Sequence, residues 1–543
     1  MRSPAPRALL ATASVAVALA AADTYVVVLA LTDMMTGVGL GIDALQKATP
    51  IISGFLLGYI AVLPLIGRLA DLVARQRILV ACLAIFVVGS AVTALAVELP
   101  VLVSGRVLQG IGGGGLVPAT LALVADLWPV GRRGVPLGVV GAVQELGSVL
   151  GPVLGAVVLA VSGWRTIFWL NAIAGVVLTG AVLLAGGQRP GRPRAVPLVV
   201  GVLALVVTGL ALAAPQRLVT DVTLGVPFVP FGGSTSRLAT PVGVAALVLV
   251  LAWLGVSARG WWAVLGRADL PGALLLAVAL GSVVLTFAAS DPEREVVGPL
   301  GLALLPLGAL AFGAYLWRHR RVETPLVARG VVRGRARYAL LVSACAGVAL
   351  VAVVVDVPVL ARLTLTSSQT EAALVLVRFL VAVPVGALLG GWSLRRLGDG
   401  VVSGVGLALA AVGLFVMSRW GDGALDHLSA TVVLALVGLG IGLALAPVNN
   451  AALAAAPHEA HGVASALVVV ARMVGMVVGL ALLTAIGLHR YYATVAALPD
   501  QSDTNALVAA GVVQVQTVFA GAAVAALLGA IASTGLGLGR SRR

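Results

Sequence analysis

Apolar runs of about 20 residues recur along the whole chain, with too little charge between them to clothe a soluble domain. A helix rises ~1.5 Å per residue, so each run is long enough to cross a bilayer core of ~30 Å. The expected spans are 8–31, 48–66, 78–97, 100–125, 134–161, 166–186, 196–214, 241–258, 271–289, 297–317, 338–361, 370–392, 401–419, 429–455, 461–488 and 510–535. The alternating ten-residue segments of a β-barrel are missing. The chain is therefore expected to be an all-α integral membrane protein of about sixteen spans, or fourteen with one pair lying flat.

Composition narrows the function. Of the 543 residues, 60% are hydrophobic and 10% charged. The two cysteines, Cys82 and Cys345, lie in apolar runs and argue against a disulfide framework or a metal cluster. Lys47 is the only lysine and no GxxxxGK[ST] loop exists, so the chain carries no phosphate-loop motor. A net charge of +14 would suggest nucleic acid in a soluble protein. Here the arginines collect in alternate turns, "GRLADLVARQR", "WPVGRRG", "GGQRPGRPR", "WRHRRVETPLVARGVVRGRAR" and "LRRLGDG", while the other turns are richer in acids. That is the positive-inside pattern; it implies cytoplasmic termini in a multi-pass cell (inner) membrane protein and no nucleic-acid partner. The N-terminus has signal-peptide features, but the apolar run continues past Asp23 to Leu31, as expected for a first spanning helix.

Several turns and spans carry recognisable spacing. "GRLADLVARQR" after the second span has Gly67, Asp71, Arg75 and Arg77; a glycine lets helices approach, the acid can bond the next helix's N-terminus, and the arginines can pair across the bundle. The fourth span reads "SGRVLQGIGGGG", with Arg106, Gln109 and Gly110, and no lysine follows as a phosphate loop would need. The fifth, "GVVGAVQELGSVLGPVLGA", has Gly138, then Gly147, Gly151 and Gly155 every four residues on one smooth face, and Pro152 to bend the helix.

Together these turns and spans resemble the major facilitator superfamily, and the fifth-span pattern resembles the antiporter motif of its drug exporters. Leu72, Ala74 and Gln76 depart from the second-turn motif, and Ala156 replaces the last glycine of the fifth-span motif. "ADTYVVVLAL" resembles the first helix of the fourteen-helix drug:proton antiporters, with Thr32 where proline is usual. "DTYVVV", "VVVDVPVL", "VPVGALLGGW" and "GVASALVVVARMVGMVVGL" resemble the mycobacterial triacylglyceride and drug exporters of that group. The resemblance implies a six-helix bundle at 1–187, a linker pair at 268–318 and a second six-helix bundle at 338–536. An extra pair lies at 195–260, and its loop 215–240 is expected as a hairpin or a tether. "AVQELGSVLG" overlies "VARMVGMVVG", and Asp23 has a counterpart in Asp356. The turn "SRWGDGALDH" is short where the lipid exporters extend theirs, which argues against their mode of lipid hand-off.

Asp23, Arg106, Glu145, Asp356, Arg378 and Arg472 lie within spans, where each charge costs roughly 2.5–3.5 kcal/mol. Static salt bridges are one reading of them. The other is proton coupling, since only the acids can exchange a proton; Asp23 is the first choice of carrier, Glu145 the second and Asp356 the third, with the arginines as partners. "PHEAH" (His458 to His461) reads as a solvated turn rather than a metal motif, Asn449 and Asn450 as mouth or cap residues, and "RGWWAVLGR" as an interfacial anchor. The expectation is a proton-driven exporter of hydrophobic small molecules or lipids, without cofactor or metal. Lipid export with a periplasmic lipoprotein is the runner-up, and a non-transporting scaffold or sensor the reading from another class. No nucleophile–base arrangement points to an enzyme.

Overall fold

The computed structural model describes residues 6–40, 45–186, 195–221, 223, 225–233, 236–288, 301–366, 368–421, 423–500 and 503–538. Helices dominate and no strand occurs among them. The first six spans are α1 (Pro6–Gly37), α2 (Leu45–Leu72), α3 (Arg75–Leu95), α4 (Leu99–Leu127), α5 (Gly134–Val161) and α6 (Trp164–Ala185). α7 (Ala195–Ala213), the short α8 (Gln216–Val219), α9 (Pro241–Arg267), α10 (Leu270–Ala288) and α11 (Gly301–Arg321) form the middle. α12 (Arg335–Thr364), α13 (Gln369–Leu380), α14 (Ala382–Ser393), α15 (Asp399–Met417), α16 (Leu428–Ala455), α17 (His461–Ala496) and α18 (Thr504–Ala532) follow. Fifteen segments among the described residues are long and apolar enough to cross a membrane. α11, packed on α10, brings the helices of spanning length to the expected number.

Two local differences from the expected spans stand out, and the first has a plain cause. The span at 370–392 is broken into α13 and α14, because Pro384 has no N–H for the carbonyl of Leu380 and its ring crowds that turn. α17 runs past its expected end at 488 to Ala496. The described residues of the loop at 215–240 form no hairpin but short helical turns, such as Val226–Phe228 and Arg237–Ala239.

Lipid tails are as apolar as leucine, so helix association in a bilayer rests on close packing rather than escape from water. α1 lies along α5, with Ala18, Ala22 and Val26 against Gly147, Gly151 and Gly155. α4 sits between α2 and α3, and α6 closes on α3; in the second half α12 packs on α17 and α18, and α16 on α14 and α15. Each half has its own apolar core, with Leu63, Phe86 and Leu116 in one and Val357, Phe379 and Phe519 in the other.

The halves meet along a seam of α2 with α17 and α5 with α14. A Cβ on Gly67 would lie 2.6 Å from the Gly462 carbonyl, and one on Gly138 2.7 Å from that of Ala387. Only glycine permits this approach. α10 covers α2 and α17 beside the seam. α7 and α9 pack on each other at the margin, where Glu98 Oε1 accepts the Arg237 N–H at 2.6 Å and so ties their loop to the first half.

Candidate functional site

The buried charges are not an even set of acid–arginine pairs. Asp23, on α1, is wholly enclosed by donors from two other helices. Arg106 Nη1 reaches Asp23 Oδ2 at 2.6 Å, while Gln109 and Asn171 donate to Oδ1 at 3.2 and 2.6 Å. Arg106 is itself bonded to Gln109 Oε1 at 2.9 Å and lies 4.5 Å over the Phe55 ring. Ser90 on α3 accepts from Gln109 at 2.9 Å. Every partner lies in the first bundle, so this network welds α1, α3, α4 and α6 together. Asn171 was missing from the sequence reading; a lone amide near the start of the sixth span was its signal.

Glu145 is placed differently. Its Oε1 meets Arg472 Nη1 at 3.4 Å, and the two residues come from α5 and α17, on opposite sides of the seam. Beside them is a cavity of about 30 Å³, lined among others by Gln144, Ser343, Leu445, Asn449 and Val469. It has room for little beyond a water molecule. Asn450, the neighbour of Asn449, instead donates to Asp399 at 2.8 Å.

Asp356 and Arg378 do not join this network. Asp356 is buried on α12, and its Oδ2 has no hydrogen-bond partner. Arg378 donates to the Leu425 carbonyl and to Thr431 Oγ1 at 3.3 and 3.2 Å, beside an open groove of about 360 Å³ between α14 and α16. The sequence placed it at membrane depth; its long stem carries the guanidinium toward the α15–α16 turn instead.

At the arginine-rich end the seam is pinned. Asp71 accepts the backbone N–H groups of Gly462 and Val463 at 2.6 and 3.0 Å. It thus caps α17 in the other half rather than the next helix, α3. Arg75 bridges Asp71 at 3.2 Å and Asp126 at 3.3 Å within the first half, and Arg77 is exposed. Gln76 donates to the Val182 carbonyl at 3.0 Å, and Gly110 packs on the Phe55 carbonyl. Ser465 Oγ bonds the Pro118 carbonyl at 3.1 Å, again across the seam. All these seam contacts lie between mid-depth and the arginine-rich end. In the opposite half α5 exposes Leu150, Leu154 and Val157, and α17 exposes Leu482 and Ile486.

Residues 13–198 match the Major Facilitator Superfamily model. A triacylglyceride transporter of Mycobacteroides abscessus is 37% identical over 495 residues, covering 88% of this chain and 82% of that protein. One of Mycolicibacterium smegmatis is also 37% identical, over 91% and 78% of the respective chains. Among solved structures, the proton:xylose symporter XylE matches 97% of this chain and 94% of its own with a TM-score of 0.54 at 15% identity, a likeness of fold.

Proposed function

The chain belongs to the major facilitator superfamily, in the group holding the mycobacterial proteins named triacylglyceride transporters, and from that premise we propose a proton-coupled exporter of apolar, lipid-like cargo. It is a membrane transporter and not an enzyme. The observation that carries the coupling is the Glu145–Arg472 pair, which joins the two bundles at mid-depth beside the seam cavity. A proton arriving from the side opposite the arginine-rich end neutralises Glu145 and frees Arg472, which lets the arginine-rich side of the seam open. Release of that proton on the arginine-rich side restores the carboxylate, which draws Arg472 back and closes the seam.

The positive-inside rule puts the arginine-rich end and both termini in the cytoplasm. The arrangement described is then closed toward the cytoplasm, with cargo leaving on the opposite side. One proton moving inward across 100 mV supplies ~2.3 kcal/mol, enough for a ~50-fold cargo gradient. Asp23 serves here as the fixed centre of the first bundle, and Asp356 as a buried acid outside the seam pair. The relatives' names support an acyl lipid as cargo. The short "SRWGDGALDH" turn gives a lipoprotein no extended arm to dock on.

Inside-out vesicles test this reading. Uptake of a fluorescent triacylglyceride analogue should follow an imposed pH gradient in wild type and lose that dependence in Glu145→Gln. If wild type moves neither this lipid nor apolar dyes, the scaffold reading takes its place.

A further inference from the structure

Three metal-ligating side chains meet at the arginine-rich end of the seam, and neither transport nor packing uses them together. Asp126 stands near the end of α4, His458 in the turn before α17, and His461 is the first residue of α17. One ligand atom from each lies within 4.8 Å of the others. His458 Nε2 is 3.9 Å from Asp126 Oδ1, and the two imidazole rings are 5.2 Å apart. His461 is 4% exposed, and its Nδ1 has no hydrogen-bond partner. A buried nitrogen without a partner is an uncompensated polar group.

We propose that Asp126, His458 and His461 hold one divalent transition-metal ion of the zinc class, which clasps the two bundles at this end. Asp126 belongs to the first bundle and both histidines to the second, so an occupied site is a cross-link of the closed seam. Two imidazoles and one carboxylate select such an ion over magnesium or calcium, which prefer oxygen alone. Arg75 engages Asp126 through Oδ2, at 3.3 Å, and leaves Oδ1 toward His458. Zinc needs ligand atoms ~2.0–2.2 Å from the ion, so the three must draw together. The His458 side chain is 72% accessible and free to rotate inward, while Asp126 is held by Arg75 and His461 is buried. Water completes the fourth position. The site stands on this geometry and is independent of proton coupling.

The test is calorimetric titration of the full-length, tag-free protein with Zn2+, alongside thermal unfolding with and without the ion. Wild type should bind one ion at least tenfold more tightly than His458→Ala and Asp126→Ala, and of these three proteins only wild type should gain thermal stability. His489→Ala, which alters an exposed histidine far along α17, should behave as wild type. Equal affinity in wild type and both site variants would mean adventitious binding to surface histidines. Tight binding retained by Asp126→Ala would remove the link between the bundles. Either result overturns the proposal.

Discussion

Asp23 and Glu145 both face an arginine, and what separates them is the rest of their bonding. Asp23 has strong bonds from Arg106 and Asn171 and a third from Gln109, all within one bundle. Asp23→Asn leaves the Arg106 charge uncompensated where it is 1% exposed. Breaking a buried pair in this way costs about 3–5 kcal/mol. A clear loss of thermal stability in detergent is expected; an unchanged midpoint would mean the network holds nothing. Glu145 has one long contact, so Glu145→Gln should cost less than Asp23→Asn in the same assay. Asp356 has no cationic partner, so its replacement leaves no buried charge uncompensated. Asp356→Asn should therefore shift the midpoint by no more than about 2 °C. The sequence made all three acids visible as expensive residues at membrane depth. It could not rank them, because the ranking depends on donors from other helices such as Asn171.

At the scale of elements, the seam depends on glycines that let backbone meet backbone. Gly138→Leu drives a side chain into the Ala387 carbonyl and should hold α5 off α14. A cysteine placed at Asn449 then reports the opening. Its labelling by an impermeant maleimide from the arginine-rich side should rise several-fold, and equal labelling would show that the seam still closes. The helices and the small-residue faces were readable from periodicity, since apolar length and four-residue glycine spacing are local properties. Their partners were not. Asp71 was expected to serve the adjacent helix, yet it caps α17 some 390 residues later in the chain. The "PHEAH" turn is solvated at His458 and Glu459 as expected, and Asp126 comes to it only through folding. The break between α13 and α14 was legible in principle, since Pro384 was there to be weighed.

For the whole molecule, alternating charge sets the expected topology, with both ends of the chain on the arginine-rich side. An epitope inserted between Gly232 and Gly233 should be reached by antibody on intact cells, whereas tags at either terminus should not. The opposite staining would invert the direction of transport. The central claim, however, is that cargo and proton exchange through Glu145. The most direct measurement is proton flux itself, followed with a pH-sensitive dye inside proteoliposomes after addition of a triacylglyceride analogue. Wild type should move protons in response to cargo, and Glu145→Gln should move at least tenfold fewer at equal protein content. A cargo-evoked proton flux that is the same in both would contradict the account.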